Sequence, residues 1–383
     1  YAVSEITVRA ALPQFTRTVT FDGGRLESTV SADRLGLRGN ATAETGLAFG
    51  AGSNESRVTK VAAYGFDAGA GIALFSGGNV ITDVYAGLMA DGMTVVPNRV
   101  GIDVNGRAAI GNAIGNRVFD EAQVNRIVGN KASGIVIRNG ASTTNVSGNR
   151  IYDNLGDGVR IVNSVGNWIG DPRAVQPDML PTDSNIIAGN RSNGILVLNS
   201  NPGTYANANR IRNNRIEANQ GVNIGLGAGA GIGIRGSKFT VVGGPTDGGG
   251  NTIVNQGAVA GVHGIAVADS TDVRVIGIGN SIGVDPETLT AAPNSGDGIN
   301  ILSSQRVEIS DRNTIAGNAG NGIGIGAGST AVTVLGNSIG LSAIDPSRKD
   351  LGNKLSGVAI TDAIGNTIGA GNAIAFNTLH GVN

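Results

Sequence analysis

Twelve times along this chain a glycine is followed by an apolar residue, any residue, and a second apolar residue. The glycines are Gly46, Gly71, Gly101, Gly134, Gly158, Gly194, Gly231, Gly264, Gly298, Gly322, Gly357 and Gly381. Successive steps run from 24 to 37 residues, and 24 recurs as the floor. A constant floor with variable excess reads as one repeating unit that carries insertions.

Each glycine heads a short strand, as in Ser133-Gly134-Ile135-Val136-Ile137 and Asp157-Gly158-Val159-Arg160-Ile161. A second module carries asparagine, as in Gly148-Asn149-Arg150-Ile151 and Arg312-Asn313-Thr314-Ile315. Apolar residues stand two apart in both, the period of a strand rather than a helix. The flanking Gly and Asn suit the left-handed backbone that sharp corners require. Strands this short cannot bury a face alone, so each must pair with its copy one repeat away, about 4.8 Å along a common axis. Inward Ile and Val then form columns, and the recurrent Asn can ladder their amides at the corners. A turn of 24 residues accommodates three short strands and three corners. The same strands in a sandwich would show hairpin signals, which are rare here, and a propeller would want longer repeats with aromatic marks. The pattern predicts a parallel β-helix.

At this point the residues resemble a known family. Gly336-Asn337-Ser338-Ile339-Gly340, continuing to Ser356-Gly357-Val358-Ala359-Ile360, is similar to the repeats of right-handed, pectate-lyase-like β-helix domains. Gly279-Asn280-Ser281-Ile282-Gly283 with Asp297-Gly298-Ile299 is a second copy. The resemblance spans residues 20–383 and implies an all-β, right-handed solenoid with three short strands per coil. Twelve glycine strands correspond to roughly 12–14 coils. It further implies one domain over 1–383, with residues 1–20 as a cap or first coil, in a large secreted or surface protein of bacteria. Its activity stays open, because such domains include lyases, hydrolases, epimerases, tailspikes and non-catalytic adhesins.

Composition narrows the partners. Lys and Arg number 28 against 29 Asp and Glu, which gives no electrostatic case for nucleic acid. With no cysteine and two histidines, thiolate and multi-histidine metal sites are excluded. No cofactor is expected, and structural calcium is not indicated. No apolar run has the length of a transmembrane segment. The chain opens Tyr1-Ala2-Val3-Ser4 and stops inside a repeat at His380-Gly381-Val382-Asn383, which reads as a piece of a longer exported chain.

Candidate chemistry belongs in the outward positions of the glycine strands, where neighbouring coils stack. The predicted column is Ala48, Ala73, Asp103, Val136, Arg160, Leu196, Gly233, Ala266, Asn300, Gly324, Ala359 and Asn383. Only Asp103 and Arg160 are charged, two coils apart. The residue before each glycine makes another column, in which His263 and Asp297 fall on adjacent coils as a candidate acid–base dyad. Their alternative role is ordinary hydrogen bonding at a corner. Tyr64-Gly65-Phe66-Asp67 resembles the opening of the alginate C5-epimerase signature, which implies proton chemistry for Tyr64 and Asp67. Ala68-Gly69 stand where that family has Pro-His, and the alternative is a strand that packs Tyr or Phe inward just before the Gly71 repeat. In the register of the asparagine strand Trp168, the single tryptophan, stands outward beside an inward Ile as the candidate sugar platform near the insertion at 171–183; its alternative is a corner packed under that loop. Further insertions lie at 284–294 and 341–353, and insertions after the same strand should emerge on one side.

Two function classes follow. The first is a non-catalytic structural or adhesive domain of a cell-surface or filament-forming protein, partnered by its own copies or another surface protein. The alternative is a polysaccharide lyase, hydrolase or epimerase working in a groove, with His263, Asp297, Asp103 and Arg160 as candidates. A sugar-binding module is the remaining possibility.

Overall fold

A computed structural model describes the chain except residues 1–4, 25–33, 41–43, 116–123, 171–184, 223–228, 245–248, 258, 278 and 344. The described residues through Asn190 form one compact unit, and Arg191–Asn383 form a second. Each is a right-handed parallel β-helix with three sheets, and a complete coil contributes one short strand to each sheet. Among the described residues helix is confined to two single turns, Tyr205–Asn207 and Lys349–Leu351. No helix among them is long and apolar enough to cross a membrane.

In the first unit the asparagine strands form a seven-stranded sheet, the glycine strands a five-stranded sheet, and the third sheet has six strands. In the second unit each sheet has six. The amino-terminal segment supplies the first coil. Glu5–Thr7 pairs with Leu35–Arg38, Phe15 bridges Phe49, and Thr20–Asp22 pairs with Arg57–Thr59. Stacking in register is what lets two- to six-residue strands bury anything. Ile102, Ile135 and Val159 stack in one column and Val104, Ile137 and Ile161 in a second, all fully buried.

Asparagine does what the corners need. Buried Asn98, Asn130, Asn154 and Asn190 pass an amide hydrogen bond from coil to coil at 2.8–3.1 Å, and Asn125, Asn149 and Asn185 form a parallel ladder at 2.9 Å. In the second unit Asn214, Asn251, Asn280, Asn313, Asn337 and Asn372 do the same at 2.8–3.2 Å. Each amide inside these ladders is satisfied along the axis, because its neighbour is a copy of itself.

The recurrent glycine has a different cause from the one corner chemistry suggests. Gly298 does not have a left-handed backbone. A Cβ there would stand 2.6 Å from Ile315 Cγ2, 2.7 Å from the Gly322 carbonyl oxygen and 2.8 Å from Asn318 Nδ2. Gly134, Gly264, Gly322 and Gly357 meet the equivalent three neighbours. The glycine strand therefore needs hydrogen at this position so that the asparagine ladder can pass beneath it. We expect Gly298→Ala to lower stability by about 3 kcal/mol, as overpacking against backbone does. Urea unfolding followed by circular dichroism checks this; an unchanged midpoint would show that the ladder gives way freely.

Two of the insertions meet. Val284–Asp285 and Thr290–Ala291 form a small antiparallel hairpin, and Val284 packs with Ala316 and Leu351 in a buried cluster. The insertion at 171–183 lies outside the described residues.

Candidate functional site

The predicted outward column is present. In the first unit Ala48, Ala73, Asp103, Val136 and Arg160 are register partners on successive coils. In the second, Leu196, Gly233, Ala266, Asn300, Gly324 and Ala359 follow one another in the same way. The two columns differ in chemistry because only the first carries charge.

On the first unit this face holds a groove of about 640 Å³ that both Asp103 and Arg160 line. Arg138, Arg99, Glu44 and Phe75 join them there. Arg138 was not among the sequence candidates. It lies two residues beyond the column that was read, in a further outward column where Asn105, Arg138 and Val162 are register partners. Reading that next column would have found it.

The geometry fixes two guanidinium groups. Arg138 donates from Nε to Asp103 Oδ1 at 2.9 Å and from Nη2 to Asp103 Oδ2 at 2.8 Å, a bidentate pair. Asp103 is nearly closed off, with 10% of its side chain exposed, while Arg138 keeps 45%. The carboxylate beneath raises the Arg138 pKa, chiefly through the hydrogen bond, with burial working the other way. Arg160 is held by Asp157, whose carboxylate is buried, at 3.3 Å. Asp103 and Asp157 thus sit under the face and the guanidinium edges stand above it. Arg99 is exposed at the same groove and makes no ion pair among the described residues. Half-buried Phe75 adds an aromatic surface. Such an arrangement can hold anionic groups along a line at little ordering cost, because the side chains are already in place.

The remaining candidates stand elsewhere. Trp168 lies in the third sheet, half buried beside Asn145, with Ile169 inward. Tyr64 is fully buried and donates its hydroxyl to Glu5; burial first, then that carboxylate, push its pKa far up. It packs with Tyr85, Leu88 and Val128, while exposed Asp67 pairs with Lys131 at 2.8 Å. Because the phenol is sealed, Tyr64 and Asp67 do not share a proton site here. Among the described residues no three of His, Cys, Asp or Glu are grouped to hold a metal ion.

His263 and Asp297 are neighbours on adjacent coils of the second unit. The Asp297 backbone N–H donates to His263 Nδ1 at 3.0 Å, and Asp297 Oδ2 stands 3.8 Å from that same nitrogen. Burial lowers the His263 pKa below 6.5, and Asp297 opposes it. A ring kept neutral in the fold but free to protonate when unfolded makes stability fall as pH drops below 6.5. The loss ends once the folded ring also protonates. A pH series of urea midpoints for the parent and His263→Gln should show this slope only in the parent.

No family model and no curated protein sequence matches the chain. Among solved structures, it is similar to the periplasmic alginate epimerase AlgG at 12% identity, covering 93% of this chain and 78% of that one, with a TM-score of 0.39. The A-module of the Azotobacter vinelandii mannuronan C-5 epimerase AlgE6 is 11% identical over 99% of this chain and 87% of its own, with a TM-score of 0.29. The catalytic domain of a GH87 α-1,3-glucanase is 11% identical over 98% and 64%, with a TM-score of 0.26. The parallel β-helix of this chain rests on its own three stacked sheets.

Proposed function

We propose that this β-helix acts on an acidic polysaccharide held along the groove of its first unit. The observation that carries the reading is the pair of guanidinium groups, Arg138 and Arg160, anchored from below on adjacent coils and joined by Arg99. Neighbouring coils are spaced about 4.8 Å apart, so successive cations can meet successive carboxylates of a uronate chain. Phe75 supports the reading as a surface on which a sugar ring can stack. A polysaccharide partner is consistent with an exported protein.

Binding of alginate, polygalacturonate and hyaluronate should be measured by calorimetry beside the neutral chains dextran and amylose. We expect an acidic polymer to bind, with affinity that falls as salt is added. Binding to none of the three acidic polymers at low salt would sink the proposal and return the chain to the structural class, with another protein as partner. The same samples separate the adhesive form from the enzymatic one. β-Elimination leaves an unsaturated uronate that absorbs in the ultraviolet, hydrolysis releases reducing ends, and epimerisation changes the anomeric proton spectrum.

A further inference from the structure

The second unit carries a separate polar cluster on the outward face of its glycine-strand sheet. His263 opens the strand His263–Ala268, which pairs with Ala230–Arg235 on one side and Ile299–Leu302 on the other. Its Nδ1 accepts the Asp297 N–H, so the neutral ring carries its proton on Nε2. Nε2 has no hydrogen-bond partner among the described residues, and the His263 side chain keeps 13% of its surface exposed.

Asp297 is fixed just as firmly. Oδ1 accepts from the Asn321 backbone N at 2.7 Å and from Asn321 Nδ2 at 3.0 Å, and Oδ2 accepts from Asn300 Nδ2 at 3.1 Å. Nδ1 and Oδ2 therefore face each other as two acceptors, which is not the arrangement of a proton relay. Buried Gly324 lies directly against the Asp297 carboxylate. A Cβ there would stand 2.6 Å from Asp297 Oδ2 and 3.3 Å from Asn300 Nδ2, and the Gly324 backbone is not left-handed. Glycine at this position supplies room rather than backbone freedom.

We propose that this polar cluster binds a neutral sugar residue, with His263 Nε2–H as donor and the Asp297 carboxylate and Asn300 amide oxygen as acceptors. A hydroxyl both donates and accepts, so vicinal hydroxyls complement one fixed donor beside fixed acceptors. An anionic sugar would instead meet the Asp297 charge. The arginine in the strand alongside, Arg235, is already paired with Asp269 at 3.4 Å. This site is chemically unlike the arginine-lined groove and does not depend on it.

The chain has two histidines, so nitrogen NMR of histidine-labelled protein shows only the rings of His263 and His380. Titration with neutral hexasaccharides of glucose, galactose and mannose should move the His263 Nε2 signal saturably for at least one of them and leave His380 in place. Gly324→Val should abolish the shift, and Asn300→Ala should weaken binding about tenfold, the value of one lost hydrogen bond. The proposal is overturned if none of the three sugars moves the ring. It is also overturned if Gly324→Val folds and still responds, or if hexaglucuronate moves the ring as far as the neutral sugars. Should Gly324→Val not fold, the Asn300→Ala titration decides, and an unchanged affinity there counts against the site. The polyuronate reading of the first unit is tested by other ligands on other residues, so either can fail alone.

Discussion

Replacing Asn154 by leucine should lower the stability of the first unit by about 4 kcal/mol, one of the largest single-residue losses this fold allows. Asn154 Oδ1 accepts from the Asn130 backbone N at 3.0 Å and from Asn130 Nδ2 at 2.8 Å. Its Nδ2 donates to the Ile127 carbonyl at 3.2 Å and to Asn190 Oδ1 at 2.9 Å. Leucine has similar bulk and none of these groups, so two buried donors of Asn130 and the Ile127 carbonyl lose a partner. Each such group costs about 1–3 kcal/mol when stranded. Water cannot easily repair the damage, because Asn154 is fully buried beneath Gly134, whose absent Cβ leaves only close contact. The measurement is urea unfolding of the parent and variant with tryptophan fluorescence, since Trp168 is the sole tryptophan and lies in the same unit. A loss below about 1 kcal/mol would mean that the ladder reseals around the gap.

Removal of Arg138 should weaken acidic polysaccharide binding about a hundredfold, the larger of the effects expected in the groove. Two losses combine in Arg138→Ala. A charge-assisted contact to the ligand carboxylate disappears, and Asp103 is left as an uncompensated charge beneath the same surface. Arg160→Ala should cost less, about tenfold, because Arg160 contacts its buried partner Asp157 only at 3.3 Å and is less rigidly held. Arg138→Lys should not restore binding, since an ammonium cannot hold the bidentate bond to Asp103 that aims the guanidinium. Calorimetry against the acidic polymer that binds the parent checks all three. Full affinity in Arg138→Ala would move the ligand out of this groove.

Much of this molecule could be read before any coordinates. The glycine steps gave the coil, the two-residue apolar period gave the strands, and the outward column of the glycine strands matches the observed register residue for residue within each unit. The adjacency of His263 and Asp297 was legible for the same reason. What the column could not show was direction. The two side chains are neighbours, yet the hydrogen bond runs from the Asp297 backbone to the ring, which turns an expected dyad into a fixed donor. Trp168 was legible as outward beside an inward isoleucine, but it stands in the third sheet, away from the glycine-strand face. For the Tyr64 tetrapeptide the packing alternative matches the structure, where a hairpin-like segment bearing Leu88 and Val95 closes over that sheet.

By itself the sequence determined the solenoid, the inward columns and the corner asparagines, since each depends on a residue meeting its own copy one repeat on. Such contacts are encoded by periodicity alone. Only the tertiary structure decided which unlike residues meet. Arg138 reaches an aspartate 35 residues earlier, and Asp297 takes its amide bonds from a residue 24 residues later. Those pairings depend on the lengths of the intervening insertions and on which rotamer a long side chain adopts. No repeat specifies either one, and the chemistry of both faces rests on them.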